Sequence, residues 1–201
     1  MSDHSPHIGS VCVFCGSSDA ADPLFVEAAA AFGRILAHEN LRLVYGGGGV
    51  GLMGACARAA HGAGGRVLGV MPDFLLQNEI LYNDVETIVV RSMHERKSLM
   101  FEQADAFAIF PGGIGTLEEV VELMSWRRLG LHAKPIVFYN PLGFWEPLFA
   151  LLAHTVTQKL TPPGFMDTWR STADVEAIVP LMRVMATGVS PAVPRLIPRV
   201  T

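Results

Sequence analysis

The residues best suited to chemistry concentrate in one stretch, Pro111-Gly112-Gly113-Ile114-Gly115-Thr116-Leu117-Glu118-Glu119. It follows the apolar run 106–110 and leads into a helical pattern over 120–128. A buried strand that breaks at glycines and restarts as a helix leaves several backbone N–H groups unpaired and aimed at one point. That is an anion site, most often for phosphate. Carboxylates follow this cradle at once, and a negative charge beside a bound phosphate costs energy unless it faces another part of the ligand. The stretch therefore predicts a phosphorylated substrate with chemistry a short distance from the phosphate. Acidic residues in a first turn also complement the helix dipole, so facing must choose among Glu118, Glu119 and Glu122. Glu119 lies three residues after Thr116 and four after Gly115, on the face of the cradle. Glu118 is turned away by one residue, which makes Glu119 the stronger candidate for chemistry.

A second group is basic. Arg96 and Lys97 border the apolar stripe Met93, Leu99, Met100 of a helix that Ser92 and Glu95 open as a capping box. Either their stems run past core residues to the surface, or Arg96 stands over the cleft, where a fixed guanidinium pairs with phosphate or with developing negative charge. The run Gly46 to Gly49 satisfies G-x-G-x-x-G twice, as Gly46, Gly48, Gly51 and as Gly49, Gly51, Gly54, with Asp73 after the next strand. Four consecutive glycines meet many patterns, and a second glycine loop at Pro111 is foreign to the dehydrogenase fingerprint. The reading is a phosphate or nucleotide site rather than an NAD site.

These loops need elements to hold them. Apolar runs at 11–15, 41–45, 66–71, 86–90, 106–110 and 135–139 read as strands, with a last short strand near Thr168. Between them lie helical patterns at 23–38, capped by Asp22 with Pro23 in the first turn, at 51–61, and from Ser92 to about residue 103. Helices also follow the fifth and sixth strands, and a stretch at 175–185 should kink or restart at Pro180. Strands apolar throughout and separated by helices mean a parallel sheet covered on both faces. The expectation is a single α/β, doubly wound, Rossmann-like domain over 8–187, with about seven strands. A proline-bearing tail occupies 188–201. The polar or glycine-rich segments 16–18, 46–49, 91–97 and 111–116 all follow strand ends and should converge on one cleft.

Bulk properties narrow the classes. The 201 residues suit one well-buried domain, and with half of them apolar and 17% charged the chain has a large core. A net charge of −4 gives no reason to expect nucleic acid as a partner. The polar start at 1–10 lacks a signal-peptide core, and no apolar run reaches the ~18 residues of a membrane span, so a cytoplasmic setting is expected. Cys12 and Cys15 form a C-x-x-C inside a strand, where residues three apart point to opposite faces; they read as core cysteines. Seven scattered histidines show no paired ligand spacing. Neither a metal nor a cofactor is expected.

Cys15-Gly16-Ser17-Ser18, Tyr45-Gly46-Gly47-Gly48, Met93-His94-Glu95-Arg96-Lys97 and the loop Pro111 to Glu119 resemble, in order and spacing, the Lonely Guy proteins. The resemblance spans 11–181. It implies a phosphoribohydrolase that cuts the N-glycosidic bond of AMP or N6-substituted AMP, a cytokinin riboside 5′-monophosphate, to free base and ribose 5-phosphate. It also implies a dimer with the pocket near its interface, and Arg96 with Glu119 as the catalytic pair. The expected substrate-binding set is Ser17, Gly47, Gly48, Met93, Lys97, Gly112, Gly113, Gly115, Thr116 and Glu118. Some relatives carry the label lysine decarboxylase; three lysines, Lys97, Lys134 and Lys159, and no pyridoxal phosphate signature speak against it here. The competing class is a non-catalytic carrier of a phosphorylated ligand such as molybdenum cofactor, which has no need of the Arg96 and Glu119 pair.

Overall fold

The protein is described from a computed structural model, which covers residues 7–76 and 80–188. Seven parallel strands form one sheet in the order β4-β3-β2-β1-β5-β6-β7. In chain order the elements are β1 (Ser10–Phe14), α1 (Pro23–His38), β2 (Arg42–Tyr45), α2 (Gly51–Gly62), β3 (Val67–Pro72) and β4 (Glu86–Val90). There follow α3 (Met93–Glu102), β5 (Ala106–Ile109), α4 (Ile114–Arg128), β6 (Ile136–Tyr139), α5 (Glu146–Thr157), β7 (Arg170–Thr172) and α6 (Ile178–Ala186). The chain winds outward from β1 through β4, then returns to pair β5 against the other side of β1, with Cys12 opposite Phe107. The strand order therefore reverses between β1 and β5, which opens a crevice at their C-terminal ends.

Alternation along β1 builds two cores. Val11, Val13 and Cys15 pack with Phe32, Leu36, Cys56 and Met182 on one face, while Cys12 and Phe14 pack with Met100, Phe107, Val120 and Trp145 on the other. The two cysteines of the C-x-x-C thus lie in separate cores, as the strand period requires. Helices α1 and α2 approach closely because Gly33 has no side chain; a Cβ there would run into the Cys56 carbonyl.

Local signals set most helix ends. Asp22 accepts from the Leu24 amide at 2.9 Å with Pro23 in the first turn. Ser92 Oγ accepts from the Glu95 amide at 3.1 Å, and Glu95 reaches back one residue beyond the expected box, to the Arg91 amide at 2.8 Å. Differences from expectation are local too. The first strand begins at Ser10 because Asp105 accepts from the Gly9 and Ser10 amides and the Ser10 hydroxyl. The last strand starts at Arg170, after a short 3-10 turn at Pro163–Asp167. The 175–185 stretch divides into a 3-10 turn, Val175–Ala177, and α6, which restarts at Ile178 with Pro180 in its first turn, where a missing N–H costs nothing. Helix α4 begins at Ile114, six residues before the helical pattern of the sequence becomes plain. The proline-bearing tail lies outside the described residues from 189 onward. Among the described residues no helix is long and apolar enough to cross a membrane.

Candidate active site

The switch point between β1 and β5 is closed by two loops. The Gly16 amide donates to the Pro111 carbonyl at 3.0 Å. Gly112 sits between Gly16 and Thr116 so tightly that a Cβ would meet the Thr116 side chain and the Gly16 nitrogen. Gly113 is the N-cap residue of α4 and brings no side chain to it. The amides of Ile114, Gly115 and Thr116 have no acceptor among the described residues, and Gly113 and Gly115 are exposed. Thr116 is buried, one turn ahead of the half-buried Glu119. An uncapped helix N-terminus at a switch point is the expected form of an anion site.

Helix α2 differs. Its first amide, Gly51, donates to Asp19 Oδ1 at 3.1 Å, and those of Leu52 and Met53 donate to the Gly16 carbonyl. The loop after β1 thus satisfies the amides that a ligand at Gly46–Gly49 might have shared. Gly47 and Gly48 are buried. Gly48 forms a bridge to Leu81, and the Gly49 amide donates to the Ile80 carbonyl at 2.5 Å. Residues 80–82 therefore run over the glycine loop. Gly51 is required by its backbone, with φ of 58° and the Ser17–Ser18 backbone where a Cβ would stand. Ser17 is exposed on the other side of that contact.

Arg96 is 7% exposed, so it does not run to the surface. Its Nη2 donates to the Gly46 carbonyl at 3.1 Å, and Nη1 lies 3.8 Å from the Met93 sulfur one turn back. Nε is buried and has no partner. This seat exists because residue 46 is a glycine; a Cβ there would occupy the place of Nη2. Gly46 stands outside the expected substrate-binding set, although it opens the glycine run as the first glycine after a buried strand.

Glu119, on α4, lies within electrostatic reach of Arg96. Burial pushes its carboxyl up to about 7; Arg96 pulls it down, Glu118 adds to the rise, Lys97 opposes it and Glu122 adds again. A carboxyl poised near neutrality can act as base or acid. Glu118, one residue earlier, has a side chain 51% exposed. Lys97 and Glu118, both expected to touch substrate, are engaged with each other, and Lys97 also pairs with Glu122 at 2.7 Å. Burial alone lowers the Lys97 pKa, but these two carboxylates overcome it and hold the ammonium above its usual value. Beside Glu119 a small cavity is lined by Phe14, Phe101, Phe107 and Trp126, with Trp126 edge-on to Phe101 at 5.2 Å.

Known proteins resemble this chain in sequence and in fold. A model of the family described as "Possible lysine decarboxylase" matches residues 53–182. A protein of Oryza sativa subsp. japonica named "Probable cytokinin riboside 5'-monophosphate phosphoribohydrolase" is 42% identical over 177 residues, 88% of this chain and 78% of that one. A cytokinin riboside 5'-monophosphate phosphoribohydrolase of Arabidopsis thaliana is 42% identical over 164 residues, 81% of this chain and 76% of that one. In structure, the molybdenum cofactor binding protein of Rippkaea orientalis superposes with a TM-score of 0.68 at 22% identity, over 90% of this chain and 99% of that one. That likeness shows the fold alone. The sequence identity, sustained along most of both chains, shows that this protein belongs to the Lonely Guy family of phosphoribohydrolases, which the family description calls possible lysine decarboxylases.

Proposed function

We propose that this protein hydrolyses the N-glycosidic bond of AMP or of an N6-substituted AMP, such as a cytokinin riboside 5′-monophosphate, to free base and ribose 5-phosphate. The observation that carries this reading is the burial of Arg96 and Glu119 on separate helices, within electrostatic reach of each other, beside the uncapped start of α4. The amides of Ile114, Gly115 and Thr116, with Gly112 and Gly113 making room, take the 5′-phosphate. Ser17 supports it from the end of β1, Gly47 and Gly48 shape the covered loop that seats Arg96, and Met93 stands with Arg96 over the bound nucleotide. Breaking the C1′–N bond leaves the electron pair on the base and positive charge on the sugar. The Glu119 carboxylate stabilises that charge and takes a proton from the attacking water as its oxygen bonds to C1′. The base nitrogen takes a proton from solvent as it leaves, and Glu119 returns the water's proton to solvent, so the net addition is one water. Arg96, with an unpaired donor left over, serves either the phosphate or the leaving base. Phosphate binding remote from the reacting bond positions the sugar.

A decarboxylase reading does not fit the lysines. Schiff-base chemistry needs a neutral amine, whereas Lys97, the lysine at the cleft, is held charged by two carboxylates. The carrier reading has one point in its favour, the shared fold with the molybdenum cofactor binding protein. Purified protein mixed with AMP and with isopentenyl-AMP, followed by chromatography, separates the two. Release of free base and ribose 5-phosphate is expected. Intact nucleotide held by the protein, with no base above background, sinks the hydrolase and leaves the carrier.

Two features of setting belong to the same reading. The outer face of α4 carries Ile114, Leu117, Val121 and Leu129 at helical spacing, with Ile114 84% exposed. An apolar stripe of this kind beside the cleft suits a homodimer with the pocket near its interface. Light scattering should give the mass of two chains, and Val121→Asp with Leu129→Asp the mass of one; a monomeric unaltered protein removes the dimer. Cys12, Cys15 and Cys56 are free and buried, which fits a reducing, cytoplasmic compartment that subcellular fractionation checks.

A further inference from the structure

The two residues placed in the chemistry stand on helices that rest on different strands: α3 packs on β3 and β4, and α4 on β1. Something must hold one helix against the other if Arg96 and Glu119 are to keep a fixed separation. Lys97 follows Arg96 on α3, and Glu118 precedes Glu119 on α4. The Lys97 ammonium is shared between Glu118 and Glu122, whose side chains lie one turn apart on α4. Its own side chain is only 13% exposed. Exposed ion pairs contribute little, and Glu118 is itself 51% exposed, but a cation already held by one carboxylate loses less freedom on meeting the second.

We infer that Lys97 is a positioning residue for the proposed hydrolysis: by clamping Glu118 and Glu122 it fixes α4 against α3 and sets the spacing of Arg96 and Glu119. The inference rests on the phosphoribohydrolase reading. Its geometry also makes an electrostatic consequence. The charged groups around Glu119 are Arg96 and Lys97 from α3 and Glu118 and Glu122 from α4, with the neutral Cys12 thiol of β1 beneath. The cations balance the carboxylates as long as Lys97 is present. Without it, Glu118 and Glu122 lose their shared counter-ion and their net negative charge presses on Glu119; without them, the Lys97 ammonium loses its counter-ions and acts on Glu119 instead. The two deletions act on Glu119 with opposite sign.

The test uses the full chain with AMP and with isopentenyl-AMP, reading kcat, KM and the acid limb of kcat against pH. Lys97→Met should lower kcat by about tenfold or more, as a small misplacement of reacting groups does, with KM nearly unchanged. Its acid limb should move up by about half a pH unit, and that of Glu118→Gln/Glu122→Gln should move down. Lys97→Arg, which keeps the charge, should recover most of the turnover. A loss confined to KM overturns the inference and makes Lys97 a substrate ligand. Acid limbs that move in the same direction, or not at all, overturn it as well. Circular dichroism checks each fold; if Lys97→Met does not fold, the direction of the limb in the double variant decides. No base release by the unaltered protein removes the hydrolase and the inference together, whereas release with an unchanged Lys97→Met profile removes the inference alone.

Discussion

Glu119→Gln keeps the fold and loses base release from AMP by at least about 100-fold in kcat, the scale of a positioned acid–base group. Glutamine retains the shape and can donate or accept a hydrogen bond, but it neither carries charge nor takes a proton from water. The same variant should be more stable than the unaltered protein at alkaline pH. The folded-state pKa of Glu119, about 7, lies above its ordinary value of 4.5. Its contribution to stability is therefore fully present below about pH 4.5 and is lost as pH rises through 7. Above that window the protein holds a half-buried charge that glutamine lacks. The gain should be on the order of 2 kcal/mol at pH 8, or roughly 5 °C in Tm for a chain of this size, shrinking toward pH 5. Differential scanning calorimetry at the two pH values reads it directly. Full turnover in Glu119→Gln with loss in Glu118→Gln would reverse the roles assigned here from facing. A less stable Glu119→Gln at pH 8 would show that the carboxylate is a structural ion-pair partner of Arg96.

Gly46→Ala should lose activity without losing the fold. The new methyl occupies the place of Arg96 Nη2 and comes within 3.2 Å of the Met53 sulfur. The backbone at Gly46 is not in the left-handed region, so alanine is not strained there and even reduces the entropy of the unfolded chain. What yields is the guanidinium, the far end of a long side chain, which must leave the Gly46 carbonyl. One charge-assisted hydrogen bond is lost, about 2 kcal/mol, so thermal melts should fall by roughly 5 °C and the protein should stay folded. Turnover should fall by about 100-fold, because a misplaced catalytic group forfeits its orientation. Steady-state kinetics beside a melting curve separate the two effects. Native turnover in a folded Gly46→Ala protein would mean that Arg96 works from some other position than its seat just after β2.

The particular residues show where sequence reading succeeds and stops. The strand runs and the caps at Asp22 and Ser92 were legible because burial and capping act through near neighbours in the chain. The start of α4 was not, since Gly113 and Gly115 weaken the helical signal in the turn that an anion site needs bare. The capping of α2 by Asp19 and Gly16, and the passage of residues 80–82 over Gly48 and Gly49, join segments about thirty residues apart and leave no periodic trace.

By itself the sequence determined a doubly wound parallel sheet, the glycine loop after β5, and the helical facing that sets Glu119 rather than Glu118 on the side of Gly115 and Thr116. Period, propensity and turn chemistry carry that information locally. Tertiary structure alone decided what those side chains experience. It set Arg96 on the Gly46 carbonyl fifty residues away, buried Glu119 until its carboxyl titrates near neutrality, and committed Lys97 to Glu118 and Glu122 across two helices. Charge–charge energies and desolvation depend on distance and burial in space, which no spacing along the chain encodes.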